Sequence, residues 1–200
     1  MEKMSAAAIR SELTIAQQQG TLVEIYNLGS DDSFDVGFVI TMDHLYVLML
    51  VIDWDGKLNC LMVTRLSSVN RVRSNTDYLT TVTAKSKVAR ENGYFDIWHL
   101  QHFLQTHDFT NKPLLMALLK DSAENHLPVV IGTNKYKGRD DFEGIITVIS
   151  PRSLTMNYYN EHDLSSLWEY QVLMANVDYL RVRGYQMAQT RGVFCDIFHQ

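Results

Sequence analysis

The densest group of chemically useful side chains in this sequence is Lys135-Tyr136-Lys137-Gly138-Arg139. Three cations around one aromatic ring suit a single-stranded nucleic acid, since the cations hold phosphates while the ring stacks on a base. Lys135, Tyr136, Lys137 and Arg139 are therefore candidate RNA- or ligand-binding residues. Asp140 and Asp141 follow at once and dilute the charge, so the plainer reading is a solvated loop. Arg71, Arg73, Arg181 and Arg183 alternate in two β-like runs, which points each pair to one face. Such pairs can line a phosphate- or partner-binding surface, but they more often guard an edge strand against unwanted pairing.

Other constellations read as structure. In Asp96-x-x-His99-x-x-His102, residues three apart are neighbours on a helix and could share a metal. Six residues of rotation carry the outer two apart, and an aspartate opening a helix is ordinarily a cap. Asp53-x-Asp55-Gly56 opens like a calcium loop, yet Lys57 falls where an oxygen ligand is needed and Thr64 where the closing glutamate belongs. It reads as a hairpin turn. There is no GxSxG elbow, GxxxxGK[ST] loop or GxGxxG fingerprint, so the expectation is no catalytic residue, cofactor or metal.

Composition sets the class. Of 200 residues 46% are apolar, enough for one large core or two small ones, and a formal charge of −5 argues against a dedicated nucleic-acid binder. Cys60 and Cys195 lack metal or redox spacing and read as reduced thiols. The segment Met1 to Arg10 carries charge on both sides of a very short apolar run, unlike a secretory leader. The longest apolar run, Leu45 to Ile52, is too short to span a bilayer as a helix and reads as a buried strand. A cytoplasmic protein without a membrane partner is expected.

The elements that must carry these residues occur twice. Lys3 to Gln19 has no proline or glycine and sets Ile9, Leu13 and Ala16 on one helical face, with Gly20 as the stop. The second half answers with Asn111 as a cap, Pro113 in the first turn, and Leu114, Leu115, Leu118 and Leu119 on the buried face. Strands then follow around Leu22 to Tyr26, Phe34 to Thr41, Leu45 to Ile52, Leu58 to Thr64 and Val69 to Arg73. Their counterparts are Val129 to Ile131, Phe142 to Ile149, Leu154 to Tyr159, Leu167 to Met174 and Val177 to Val182. Gly93-Tyr94-Phe95-Asp96-Ile97-Trp98-His99 also resembles Gly192-Val193-Phe194-Cys195-Asp196-Ile197-Phe198-His199. The first copy runs on into a helix with Phe103 and Leu104, and Lys85 to Asn92 is expected as an exposed excursion. A period of about half the chain predicts an internal duplication, with units at 1–107 and 108–200.

A helix followed by five short bent strands, with a glycine in the second, resembles the Sm-like (LSm) fold, a small SH3-like barrel. The family places an acidic residue six positions after that glycine, as Asp43 follows Gly37. Its base-reading asparagine four residues further on is Val47 here. Its second motif, an Ile-Arg-Gly-like run, is similar to Thr64-Arg65-Leu66, with Arg65 at the arginine and Leu66 at the glycine. In the second half Gly144 persists, while the three polar positions become Ser150, Leu154 and Leu173. The resemblance implies an α+β, mainly β chain of two tandem Sm-like/SH3-like barrels, each preceded by an amphipathic helix. It also implies Asp43 and Arg65 as candidate RNA-binding residues, although the missing asparagine removes the discriminating contact. The expected function is a non-catalytic binding or scaffolding protein acting through protein partners or self-association into an oligomer. RNA binding through the first barrel is the alternative, and an enzyme with a site assembled from distant segments is the weaker one.

Overall fold

A computed structural model describes residues 3–27, 33–133, 141–160 and 162–199. The chain is α+β and divides into two compact units, Met1–Leu114 and Leu115–Gln200.

The first unit opens with α1 (Ala6–Gln19). The Ser5 hydroxyl accepts from Ala8 N, and the chain leaves at Gly20, whose φ of 62° favours a residue without Cβ. Ile9, Leu13 and Ala16 are buried, as their spacing predicts. Five antiparallel strands follow: β1 (Leu22–Asn27), β2 (Asp35–Met42), β3 (Tyr46–Ile52), β4 (Leu58–Arg65) and β5 (Val69–Arg73). Their order is β5-β1-β2-β3-β4. β3 is buried along all seven residues, so both faces of the sheet are covered there, and the run is apolar without alternation. α1 packs on β2 and β5, α2 (Asp77–Glu91) on β1, and α3 (Leu100–Thr106) on β4.

The β3–β4 hairpin behaves as its sequence predicts. Asp53 Oδ1 accepts from Asp55 N and Lys57 N, and Gly56 takes a φ of 84°. The hairpin rests on α2: a Cβ at Gly56 would come within 2.5 Å of Ser86 N, and Lys85 Nζ donates to Trp54 O at 2.9 Å. The expected excursion at Lys85 to Asn92 is therefore replaced by the last two turns of α2, capped by Thr76 and burying Leu79, Val82, Ser86 and Ala89.

The second unit contains α4 (Leu114–Glu124), apart from its first residue, then β6 (Pro128–Gly132), β7 (Asp141–Ile149), β8 (Ser153–Asn160), β9 (Asp163–Leu173), β10 (Tyr179–Val182) and α5 (Tyr185–Asp196). The strand order is β10-β6-β7-β8-β9, again antiparallel. Helix α5, not read from the sequence, buries Met187, Thr190 and Phe194.

The barrels expected from the sequence are not closed. Among the described residues β5 pairs only with β1 and β9 only with β8, so neither sheet is sealed by hydrogen bonds between the ends of its order, β5 with β4 or β10 with β9. The physical reason is visible in β5: it has five residues, and its ladder is spent on β1. No helix among the described residues is long and apolar enough to cross a membrane.

Candidate functional site

Asp43 lies in the tight connection from β2 to β3. Its Oδ1 accepts from Leu45 N and Tyr46 N, both at 2.7 Å, while its own N–H donates to Tyr46 O at 3.0 Å. Its second oxygen, Oδ2, accepts from Leu114 N at 2.9 Å. Short aspartate side chains close such turns because they reach the backbone two or three residues ahead. One carboxylate thus holds three backbone donors. The N–H that the sequence would assign to Asn111 as cap is taken instead by a residue far away in sequence.

Arg65, at the end of β4, stands opposite Tyr46 in the register, its guanidinium 4.9 Å from the ring centre. The two candidate residues of the first unit are therefore brought to one corner, on either side of Tyr46. The corner is filled at Tyr46, 4% exposed, and at Val47, 0% exposed at the position of the family's asparagine, while Asp43 lines a cleft of about 390 Å³ with His44, Phe109, Asn111 and Lys112. At the positions of the family's motif, a base therefore finds neither the Tyr46 ring nor an amide to read. Replacing Asp43 with alanine is expected to cost about 2–4 kcal/mol, because three backbone N–H groups lose a charged acceptor. A urea titration measures this; an unchanged midpoint would show that water replaces the carboxylate without loss.

The second unit repeats this corner with other side chains. Ser150 Oγ accepts from Ser153 N at 3.0 Å, and Ser150 N donates to Ser153 O at 2.8 Å. Leu154 is buried at the place of Val47. Leu173 pairs with Ser153 as Arg65 pairs with Tyr46, but Leu173 is exposed.

Lys135, Tyr136, Lys137 and Arg139 lie outside the described residues. The four alternating arginines serve local contacts. Arg71 stacks at 4.0 Å on Tyr26, and Arg73 lies 3.8 Å from the buried carboxylate of Glu24. Arg181 lies over the ring of Tyr179, and Arg183 pairs with Asp121 at 2.9 Å. Asp96 caps α3 through Leu100 N and Gln101 N. Among the described residues no three His, Cys, Asp or Glu side chains are grouped to hold a metal.

The surface that sequence reading missed is β9. It has eleven residues, pairs on one side with β8, and is exposed along most of its length. Its apolar side chains Leu164, Trp168 and Leu173 are 41%, 46% and 49% exposed. Tyr170, on the same face as Trp168, joins an aromatic stack, 4.5 Å from Phe142 and edge-on to Tyr158. Its only charges are Asp163 and Glu169. Asp163 is turned inward on its own loop by hydrogen bonds from Ser165, which hold its carboxyl below the ordinary aspartate range. The signal in the sequence was the stretch Leu164 to Leu173 itself, too polar to read as a core strand and too apolar for a guarded edge.

The sequence matches no family model and no curated protein.

Proposed function

We propose that this chain is a non-catalytic scaffold that assembles with copies of itself through the free edge of β9, on a framework of two open, Sm-like barrels derived by duplication. The observation that carries the assembly is that, among the described residues, β9 leaves one side of an eleven-residue strand unpaired while exposing Leu164 and Trp168. Proteins that stay monomeric guard such edges with lysine, proline, bulges or covering loops. This strand has no lysine or proline, and its ladder with β8 is regular from Trp168 to Leu173, with a register shift only toward Asp163. A second copy is the occupant argued for here. β5, an end strand of the first unit's sheet, carries Arg73 with its side chain 48% exposed, opposite in sign to Asp163 and Glu169.

Support for the duplicated framework is internal to each unit. Gly37 and Gly144 pair with Val23 and Val129 on one side, and with Val51 and Tyr158 on the other. In both units the register slips between the second and fourth residues past that glycine, at Val39/Thr41 and Ile146/Val148. The turn acceptors Asp43 and Ser150 follow six positions after it. Both helices end alike: Thr21 N donates to Ala16 O and Leu127 N to Ser122 O, with Gly20 and His126 at positive φ. Short 3-10 turns at Leu66–Ser68 and Met174–Asn176 precede the last strand of each unit.

Light scattering over a range of concentrations tests this reading. A mass at a multiple of the chain's own, falling on dilution, is expected. A monomer throughout, together with steeply salt-dependent binding of a single-stranded RNA that Arg65→Ala weakens, would replace it with the RNA-binding alternative.

A further inference from the structure

A cleft of about 520 Å³ runs between α2 and the turn joining α1 to β1, wholly within the first unit. This is the size range of small-ligand sites. Its floor is apolar. Leu22 and Phe38, register partners on β1 and β2, meet Leu79 from α2. The wall is one face of α2, where Leu79, Thr83, Ser86 and Arg90 follow at spacings of four, three and four.

The polar groups on that wall divide by role. Thr83 Oγ1 donates to Leu79 O and Ser86 Oγ to Val82 O, both at 2.8 Å, so their hydrogens are spent and only lone pairs remain. Donors come from the Asn75 amide, which makes no hydrogen bond among the described residues, and from Lys87 and Arg90. Among the described residues these two are the only charged ones lining the cleft, and both are cations. Arg90 lies 3.4 Å above the Phe95 ring centre and makes no hydrogen bond or ion pair among the described residues. Arg90 stays exposed overall, but partial burial of its guanidinium draws its pKa below the ordinary arginine value, against a weaker opposing pull from Asp96. Lys87 has only Glu91, at 3.9 Å with both side chains largely exposed, a pairing too solvated to neutralise it.

We propose that this cleft binds a small organic carboxylate with a flat apolar body, the acid held by Arg90 and Lys87 and the body lying on Phe38, Leu22 and Leu79. A guanidinium offers a carboxylate two parallel donors, and an aromatic floor takes a flat ring by offset stacking. The site is independent of β9 and of self-association.

Titration of the full chain with 2-naphthoate, followed by amide shifts in heteronuclear NMR, tests the site. Saturable shifts are expected at Thr21, Leu22 and Thr83 to Arg90, with binding of the uncharged 2-naphthalenemethanol weaker by about tenfold. Lys87→Glu with Arg90→Glu should weaken naphthoate by at least about tenfold, and Thr83→Trp should abolish binding by filling the cleft. Lys87→Glu alone, at an exposed position, carries the charge test should the double variant not fold. Equal binding of the two probes, shifts centred elsewhere, or naphthoate affinity unchanged in Lys87→Glu and Thr83→Trp would overturn the proposal.

Discussion

Replacing Gly144 with alanine is expected to cost the second unit about 3 kcal/mol or more, enough to unfold it at modest denaturant. The cause is steric. A Cβ at this point of β7 would lie well inside contact distance of the Asn157 carbonyl oxygen and against the Tyr158 backbone. Backbone cannot rotate away as a side chain can, so β7 and β8 would have to separate. Gly37 faces the same obstacle in the first unit, where an added Cβ would sit 2.6 Å from Leu50 O. In both cases the obstructing carbonyl belongs to the residue just before the glycine's register partner. Glycine inside a strand marks such a close approach. Gly192 on α5 is the control: nothing lies within 4 Å of its added Cβ, and alanine there should be neutral or stabilise by about 0.5–1 kcal/mol. Trp168 is the one tryptophan of the second unit, so with Trp54 and Trp98 changed to phenylalanine its fluorescence follows that unit's urea transition. A Gly144→Ala midpoint equal to that of the parent would show that the sheet yields at this point.

The strand glycines show how much of the fold was legible. Gly37 and Gly144 stand out in the sequence because each sits in an apolar β run at matching places, and the packing explains them. Helix α1 was equally plain, since Ile9, Leu13 and Ala16 repeat at helical spacing without a break. Helix α2 was not, because its buried face includes Ser86 and its surface is rich in threonine, lysine and arginine. Thr76-Asp77 was the available start signal, and the following charges masked it. α5 was hidden the same way by buried Thr190. Its hydroxyl is held by Glu143, a partner in β7 that local pattern cannot reveal.

The candidate site was legible in residue type and not in use. Asp43 and Arg65 lie at one corner, on either side of Tyr46, yet both oxygens of Asp43 serve backbone donors and Val47 lies in the core. Whether a side chain closes a turn or waits for a ligand depends on burial, which spacing does not report. Barrel closure was illegible for a related reason. It is decided by pairing between the two ends of each strand order, β5 with β4 and β10 with β9, and short strands look alike whether or not they pair.

The second large effect concerns β9. Changing Leu164 and Trp168 together to lysine is expected to raise the dissociation constant for self-association by roughly 30-fold or more, since an interfacial tryptophan commonly carries 2 kcal/mol or above. Both positions are more than one-third exposed in the single chain, so the substitution should leave its stability nearly unchanged. Lysine also restores the charge that natural edge strands use against pairing. Helical and strand content by circular dichroism should match the parent, which separates a lost interface from a lost fold.

Sedimentation equilibrium of the parent and the Leu164→Lys/Trp168→Lys variant, side by side over the same concentrations, tests the scaffold reading most directly. The account expects a reversible oligomer for the parent and a monomer for the variant. A parent that stays monomeric at every concentration, or a variant that associates as tightly as the parent, would contradict it.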